Sequence, residues 1–276
     1  MRLVNSFFIK IIFILLPISF FSQVKNIGLP NLNNYKRNEY KGGTQNWSID
    51  QDLNGNIYFA NNSGLIQFDG STWRKYSLPN NTPIRSLKID SNGKIFVGGN
   101  NEFGYLKANE KGNLKYFSIS KMIRNKESQN INLIWRIHIH KGEVVFQSFT
   151  KAFFYRNNKL RILNAPNKFQ FSFLVNNRLF FQDKVLGVLE HKSGKLFSLK
   201  GTTTLNDKEI WAMFALPNNK MLLATLEKGL FVYDYKNVQP GNTEANDFIK
   251  KNTSLGGSII KNKFIFIRRH LWVLKQ

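Results

Sequence analysis

The residues with most chemical scope in this sequence are tryptophans and arginines that recur at one place in a repeat. Trp47, Arg85, Phe169 and Trp211 each stand eight residues before a turn residue: Gly55, Gly93, Asn177 and Asn219. The same count back from Gly142 reaches Ile134, beside Trp135 and Arg136. Gln45 and Glu102 (in NNEFG) are expected on the same face as these positions, completing a polar rim. Indole faces stack on sugars and cations, and guanidinium groups grip carboxylates. The set therefore suits an oligosaccharide or another small anionic ligand. Arg85 weighs most, because a guanidinium buried without a partner is costly. Each Trp alone also suits packing between neighbouring repeat units. Gln45, Trp47, Arg85, Glu102, Trp135, Arg136 and Trp211 form the candidate ligand-binding set.

Other chemistry is poorly served. His138 and His140 alternate in IHIH and share a strand face, but no third ligand is placed to make a metal site. Asp69 and Asp234 follow apolar strands and read as turn residues. FDGSTW (68–73) partly resembles the Asp-box turn of sialidase propellers but lacks the upstream S-x-D. No Ser-His-Asp order, phosphate loop or dinucleotide fingerprint stands out. The expectation is a non-enzymatic protein without catalytic residues, metal or cofactor.

A repeat must position the candidate residues. DLNGNIYFA, IDSNGKIFVG, HIHKGEVVFQ, LVNNRLFFQ, LPNNKMLLA and IIKNKFIFI each place a polar turn before a short apolar strand. Gly and Asn suit such turns because they tolerate positive φ. A second strand follows each (SGLIQFD, EFGYLKA, KAFFYRN, VLGVLEH, KGLFVYD, RHLWVLKQ), and several copies continue into a further strand such as TWRKYSL or NLKYFSI. Counting the strand before the turn, each unit has four antiparallel strands in roughly forty residues, the pattern of a β-propeller blade. One such sheet cannot hide both faces, whereas sheets packed radially bury both. A pair of β-sandwiches is the alternative. The all-β prediction places blades at 42–80, 81–120, 131–165, 166–203, 206–240 and, in part, 254–276.

Twenty-five Phe and nine Tyr favour strands, and 42% apolar residues suffice for a core. The chain lacks cysteine, which excludes disulfides and thiolate chemistry. Arg2 and Lys10 precede IIFILLPISFF (11–21), an apolar run of signal-peptide length and shorter than the ~20 residues of a membrane helix. Residues 1–22 are accordingly read as a signal peptide, an uncleaved anchor being the alternative, and the mature protein as periplasmic or secreted without a membrane span. The formal charge of +23 attracts anionic surfaces. Its even scatter also fits Lys on solvent faces and sheet edges. Export argues against nucleic acid as a partner. Residues 23–41 form an N-terminal segment in which 33–41 offers a strand to close the ring.

GGTQNW (42–47), NGNIYFANNSGLIQFDGSTW (54–73), PIRSLKIDSNGKIFVGGNNEFGYL (83–106) and EKGLFVYD (227–234) resemble the propeller repeats of bacterial two-component regulators. More narrowly, they resemble the ligand-binding sensor domains of one-piece membrane regulators. The resemblance spans Gly28 to about Phe266, with G-L-x-x-F-D-G-x-x-W its most specific part. It implies an exported sensor whose relatives continue into a β-sandwich, a membrane helix and a kinase or DNA-binding output. Those relatives close with seven blades, while this chain supplies five and part of a sixth. The resemblance thus implies a truncated sensor or a short secreted form, with pairing to an intact homologous sensor as one role open to it. A secreted carbohydrate-binding or lyase-like propeller, or an adhesion module, is the alternative.

Overall fold

Alternating apolar residues between Asn and Gly turns fold into short antiparallel sheets joined in series. The computed structural model describes residues 33–124, 130–260, 263–268 and 272–273. Contacts divide the chain after Tyr35; of the first unit only 33–35 are described, without regular structure, and the second unit carries the fold below. The signal peptide expected at 1–22 and the turn residue Asn262 lie outside the described residues.

Sheet 1 comprises β1 (Asn46–Gln51), β2 (Ile57–Asn61), β3 (Gly64–Phe68) and β4 (Trp73–Tyr76). Sheet 2 comprises β5 (Ser86–Ile89), β6 (Ile95–Gly98), β7 (Phe103–Ala108) and β8 (Leu114–Ser118). Sheet 3 comprises β9 (Arg136–His140), β10 (Glu143–Gln147), β11 (Lys151–Arg156) and β12 (Lys159–Asn164). Sheet 4 comprises β13 (Phe169–Val175), β14 (Arg178–Asp183), β15 (Gly187–Lys192) and β16 (Lys195–Ser198). Sheet 5 comprises β17 (Ile210–Leu216), β18 (Lys220–Thr225), β19 (Leu230–Tyr233) and β20 (Val238–Pro240). Among the described residues, sheet 6 has three strands: β21 (Ser254–Ile260), β22 (Lys263–Arg268) and β23 (Trp272–Val273).

Within each sheet the strands pair in sequence order. The first strands touch in series, β1 to β5 to β9 to β13 to β17 to β21. These strands therefore line the centre and each sheet runs outward from it. The fold is a β-propeller.

Aromatic side chains fill the spaces between blades. Phe103 of blade 2 packs on Phe146 and Phe153 of blade 3, with ring centroids 4.6 and 4.9 Å apart. Phe154 of blade 3 shares a core with Phe169, Phe181 and Leu189 of blade 4. Phe173 and Phe180 of blade 4 meet Met213, Leu223 and Tyr233 of blade 5. Each fully buried side chain of this size contributes about 1.5–3 kcal/mol, which is how a cysteine-free chain holds together. The turns behave as read: Gly55, Gly93 and Gly142, with Asn177 and Asn219, all have positive φ. Gly64 is a demanding position, at φ +118° with the Tyr76 carbonyl packed where a side chain would begin. We expect Gly64→Ala to lower the unfolding free energy by roughly 1–3 kcal/mol in urea titrations, through backbone strain and that clash.

The ring-closing strand expected at 33–41 is not what the chain forms over 37–40. Instead a single helical turn, α1 (Arg37–Tyr40), packs beside β4, the outer strand of blade 1. Glu39 accepts a 2.7 Å bond from the backbone N–H of Lys36, closing the turn at its start. The Tyr40 ring lies 5.8 Å from that of Trp73, and Gly42 sits directly against Ile66. Local capping and aromatic packing thus outweigh strand pairing here. A second helix, α2 (Glu244–Lys251), bridges blades 5 and 6: Ile249 enters their core, and Asn246 Oδ1 accepts a 2.7 Å bond from the N–H of Leu230.

Candidate functional site

Three successive inner strands build one cavity of about 200 Å³, lined by residues 47–50, 85–88 and 135–138. The three segments are equivalent in the repeat, so one structural position is used three times. Backbone bonds fix their ends: Arg85 N–H donates to Gly98 O at 2.9 Å and Trp135 N–H to Gln147 O at 2.8 Å.

Indoles and guanidinium groups form the outer tier. The Arg85 guanidinium lies 3.7 Å over the Trp47 ring. Asn62 Oδ1 accepts from both Trp47 Nε1 (2.7 Å) and Arg85 Nη1 (3.1 Å), locking the pair together. Trp47 meets Trp135 edge to face at 6.3 Å, and Trp135 stacks on Phe149 at 5.3 Å. Arg136 stands 4.6 Å over Phe171 and donates from Nη2 to Trp211 O at 3.5 Å. Burial lowers the pKa of both arginines, that of Arg136 to about 10.

Ionisable groups occupy the inner tier. Asp50 Oδ2 accepts from Lys88 Nζ at 2.7 Å and from the Ile89 N–H at 3.0 Å. His138 Nε2 bonds Ser172 Oγ at 2.9 Å, and Ser172 in turn donates to Gln147 Oε1 at 3.3 Å. Since the Ser172 proton is committed to Gln147, His138 is the donor and carries its proton on Nε2. Burial, followed by the charge of Arg136, takes the His138 pKa down to about 3.

Four of the seven sequence-derived site residues therefore meet: Trp47, Arg85, Trp135 and Arg136. Gln45 joins indirectly, its Oε1 accepting a 3.3 Å bond from Asn62 Nδ2. Trp211 stands behind the wall, edge to face with Phe171 at 5.0 Å, its Nε1 donating to Glu209 Oε2 at 3.4 Å. Glu102 belongs elsewhere. Its Oε1 accepts from the hydroxyls of Tyr116, Ser118 and Ser120 at 2.7–2.8 Å, tying β8 and the following turn to the β6–β7 loop.

Asn62, Phe149, Phe171 and His138 were not picked out from the sequence as site residues. Asn62 and Phe149 sit in the loops between second and third strands, on the face already assigned to the ligand. The loop rule, applied to every blade, would have found both. Asp69 and Asp234 are turn residues, each accepting from two backbone N–H groups just ahead in the chain. Among the described residues, no three His, Asp or Glu side chains group closely enough to hold a metal ion, and no helix is long and apolar enough to cross a membrane.

No family model matches this sequence, and no curated protein sequence does. Solved structures do share the fold. Virginiamycin B lyase from Staphylococcus aureus aligns with a TM-score of 0.62 at 15% identity, over 83% of this chain and 78% of the lyase. PorZ, a surface component of the type-IX secretion system of Porphyromonas gingivalis, aligns at 0.56 and 11% identity, over 79% of this chain and 36% of PorZ. The extracellular domain of a one-component system from B. thetaiotaomicron aligns at 0.48 and 16% identity, over 81% of this chain and 37% of that one. For the lyase and PorZ, at these identities, the likeness is one of fold.

Proposed function

We propose that this propeller is the ligand-sensing region of an exported, regulator-type protein and that the channel pocket is its receptor site. One observation carries the reading: equivalent positions on three consecutive inner strands contribute four residues each to a single cavity. A ligand held there touches blades 1, 2 and 3 at once, so its binding energy couples to their relative pose. That is the coupling a sensor needs. The sequence resemblance to regulator propellers and the signal-peptide pattern at residues 1–22 support the same reading.

A lyase-like enzyme is the second reading, favoured by the fold shared with virginiamycin B lyase. Of the lining residues Asp50, Lys88 and His138 have most scope for proton transfer. Asp50 is paired with Lys88, and the Nε2 proton of His138 is held by Ser172. These engagements support binding rather than turnover.

The test combines thermal shifts with product analysis across a panel of sugars and organic acids. A true ligand is expected to raise the Tm of the full chain and to be recovered chemically unchanged. The triple variant Trp47→Phe, Arg85→Met, Trp135→Phe, chosen to preserve packing, is expected to abolish the shift. Conversion of the ligand, or an undiminished shift in the triple variant, overturns the sensor reading.

A further inference from the structure

We infer that the channel pocket recognises a carboxylate, carried on a ring of about monosaccharide size and gripped by Arg85, Trp135 and Arg136. This deepens the sensor reading and rests on it. The wall of the pocket is rich in hydrogen-bond donors, and several of the acceptors around it are already used. Asn62 Oδ1 is taken by Trp47 and Arg85, Asp50 Oδ2 by Lys88 and Ile89, and Trp211 O by Arg136. Three buried N–H groups on lining residues have no acceptor among the described residues: Arg85 Nε, Trp135 Nε1 and Arg136 Nε. All three can only donate, so their complement is a group that only accepts.

Charge narrows the choice further. The lining holds Arg85, Lys88 and Arg136 against a single carboxylate, Asp50, which Lys88 already engages. A neutral hydroxyl would satisfy one donor but leave that field uncompensated, whereas a carboxylate answers both. Its two oxygens match the parallel N–H groups of a guanidinium, which is why arginine excels at this recognition. Burial lowers the pKa of Arg85 and Arg136, so an anion beside them would also relieve the desolvation of their charge.

Size sets the remaining limit. A cavity of about 200 Å³ displaces about six or seven waters at ~30 Å³ each, room for one hexose-sized ring. Pockets for larger molecules begin at about 300 Å³. The Trp47 and Trp135 rings supply apolar wall for the body of that ring. The same chemistry is available from a free sugar acid and from the acidic end of a glycan chain.

Calorimetric titration of the full chain with D-galacturonate, D-galactose and tri-galacturonate tests the inference and separates the two sources. Galacturonate is expected to bind, and galactose, the same ring without the carboxylate, at least tenfold more weakly. Arg85→Lys and Arg136→Lys keep the charge but remove the Nε–H, and each is expected to weaken galacturonate binding at least tenfold. Trp135→Phe keeps a ring but removes the N–H, and is expected to weaken it several-fold. These replacements are conservative, and a thermal melt of each confirms folding. Tighter binding of tri-galacturonate than of the monomer assigns the source to a chain end; the reverse assigns it to the free acid. Equal affinity for galactose and galacturonate overturns the inference. So does unchanged affinity in the three variants, or no binding of either acid at millimolar concentration. The sensor reading fails separately, through turnover or through a ligand response that survives the triple variant.

Discussion

Glu102→Ala is expected to lower the unfolding free energy by about 3–5 kcal/mol while leaving ligand affinity of the folded protein intact. Glu102 is 8% exposed, and one of its oxygens accepts three hydroxyl protons, from Tyr116, Ser118 and Ser120. Hydrogen bonds to a charged acceptor contribute about 1.5–3 kcal/mol each, with strong non-additivity when they share an atom. Burial and the bond to Glu102 both push the Tyr116 hydroxyl pKa well up, so this proton stays in place at every pH the fold survives. Truncation strands three donors in a partly buried knot that secures the outer strand of blade 2. Glu102→Gln keeps an acceptor oxygen and is expected to cost less than half as much. Urea unfolding followed by tryptophan fluorescence gives both values. A fully stable Glu102→Ala protein with lost ligand response would return Glu102 to the site.

The repeat was legible because strand periodicity and turn chemistry are local. NG, KG and NN pairs signal positive φ wherever they fall, and the apolar runs after them can only be strands. The channel positions followed from the same register, which reaches Trp47 and Arg85 directly and Trp135 and Arg136 as neighbours of Ile134. Partner choice was not legible. Asn62 begins and Glu102 ends equivalent loops in adjacent blades, yet Asn62 reaches the channel while Glu102 turns outward to three hydroxyls. That difference depends on Tyr116, Ser118 and Ser120, a full strand away in sequence. Trp211 shares its repeat position with Trp47, but it stands on blade 5 against Phe171 of blade 4, while the cavity is lined by blades 1, 2 and 3. Over 37–40 a four-residue capped turn prevailed where extended chain was expected, since Glu39 finds its bond within three residues and a strand would need a distant partner.

Acidification from pH 7 to pH 5 is expected to remove about 4 kcal/mol of stability through two histidines, His138 and His191. Burial, then Arg136, lowers His138 to about 3. Burial, then Arg161, lowers His191 to about 4. His191 stacks on Phe154 at 4.6 Å while the Arg161 guanidinium lies 3.9 Å over the same ring, and its Nε2 has no partner among the described residues. Both rings are neutral in the native state, whereas in the unfolded chain they titrate near 6.5. Below pH 6.5 the unfolded state therefore binds protons that the native state refuses, and stability falls with pH. At pH 5 each group stands roughly 1.5 units below its unfolded pKa, worth about 2 kcal/mol. Carboxylates act later: Glu190, held down by its bidentate bond to Arg178, begins to lose its contribution only as pH falls below the ordinary carboxylate range. The interval from about pH 6.5 to about 4.5 thus belongs to the histidines. In urea titrations across it, the double variant His138→Gln, His191→Phe is expected to lose most of the pH dependence and, through His191→Phe, to match or exceed the parent at pH 5. The glutamine side chain at position 138 retains a donor for Ser172, and the phenyl ring at position 191 retains the stack without the orphaned nitrogen. Superimposable pH profiles for parent and double variant would show that neither histidine ring is buried in its neutral form. The inner tier of the channel would then be wetter than its packing against Ser172 and Gln147 implies.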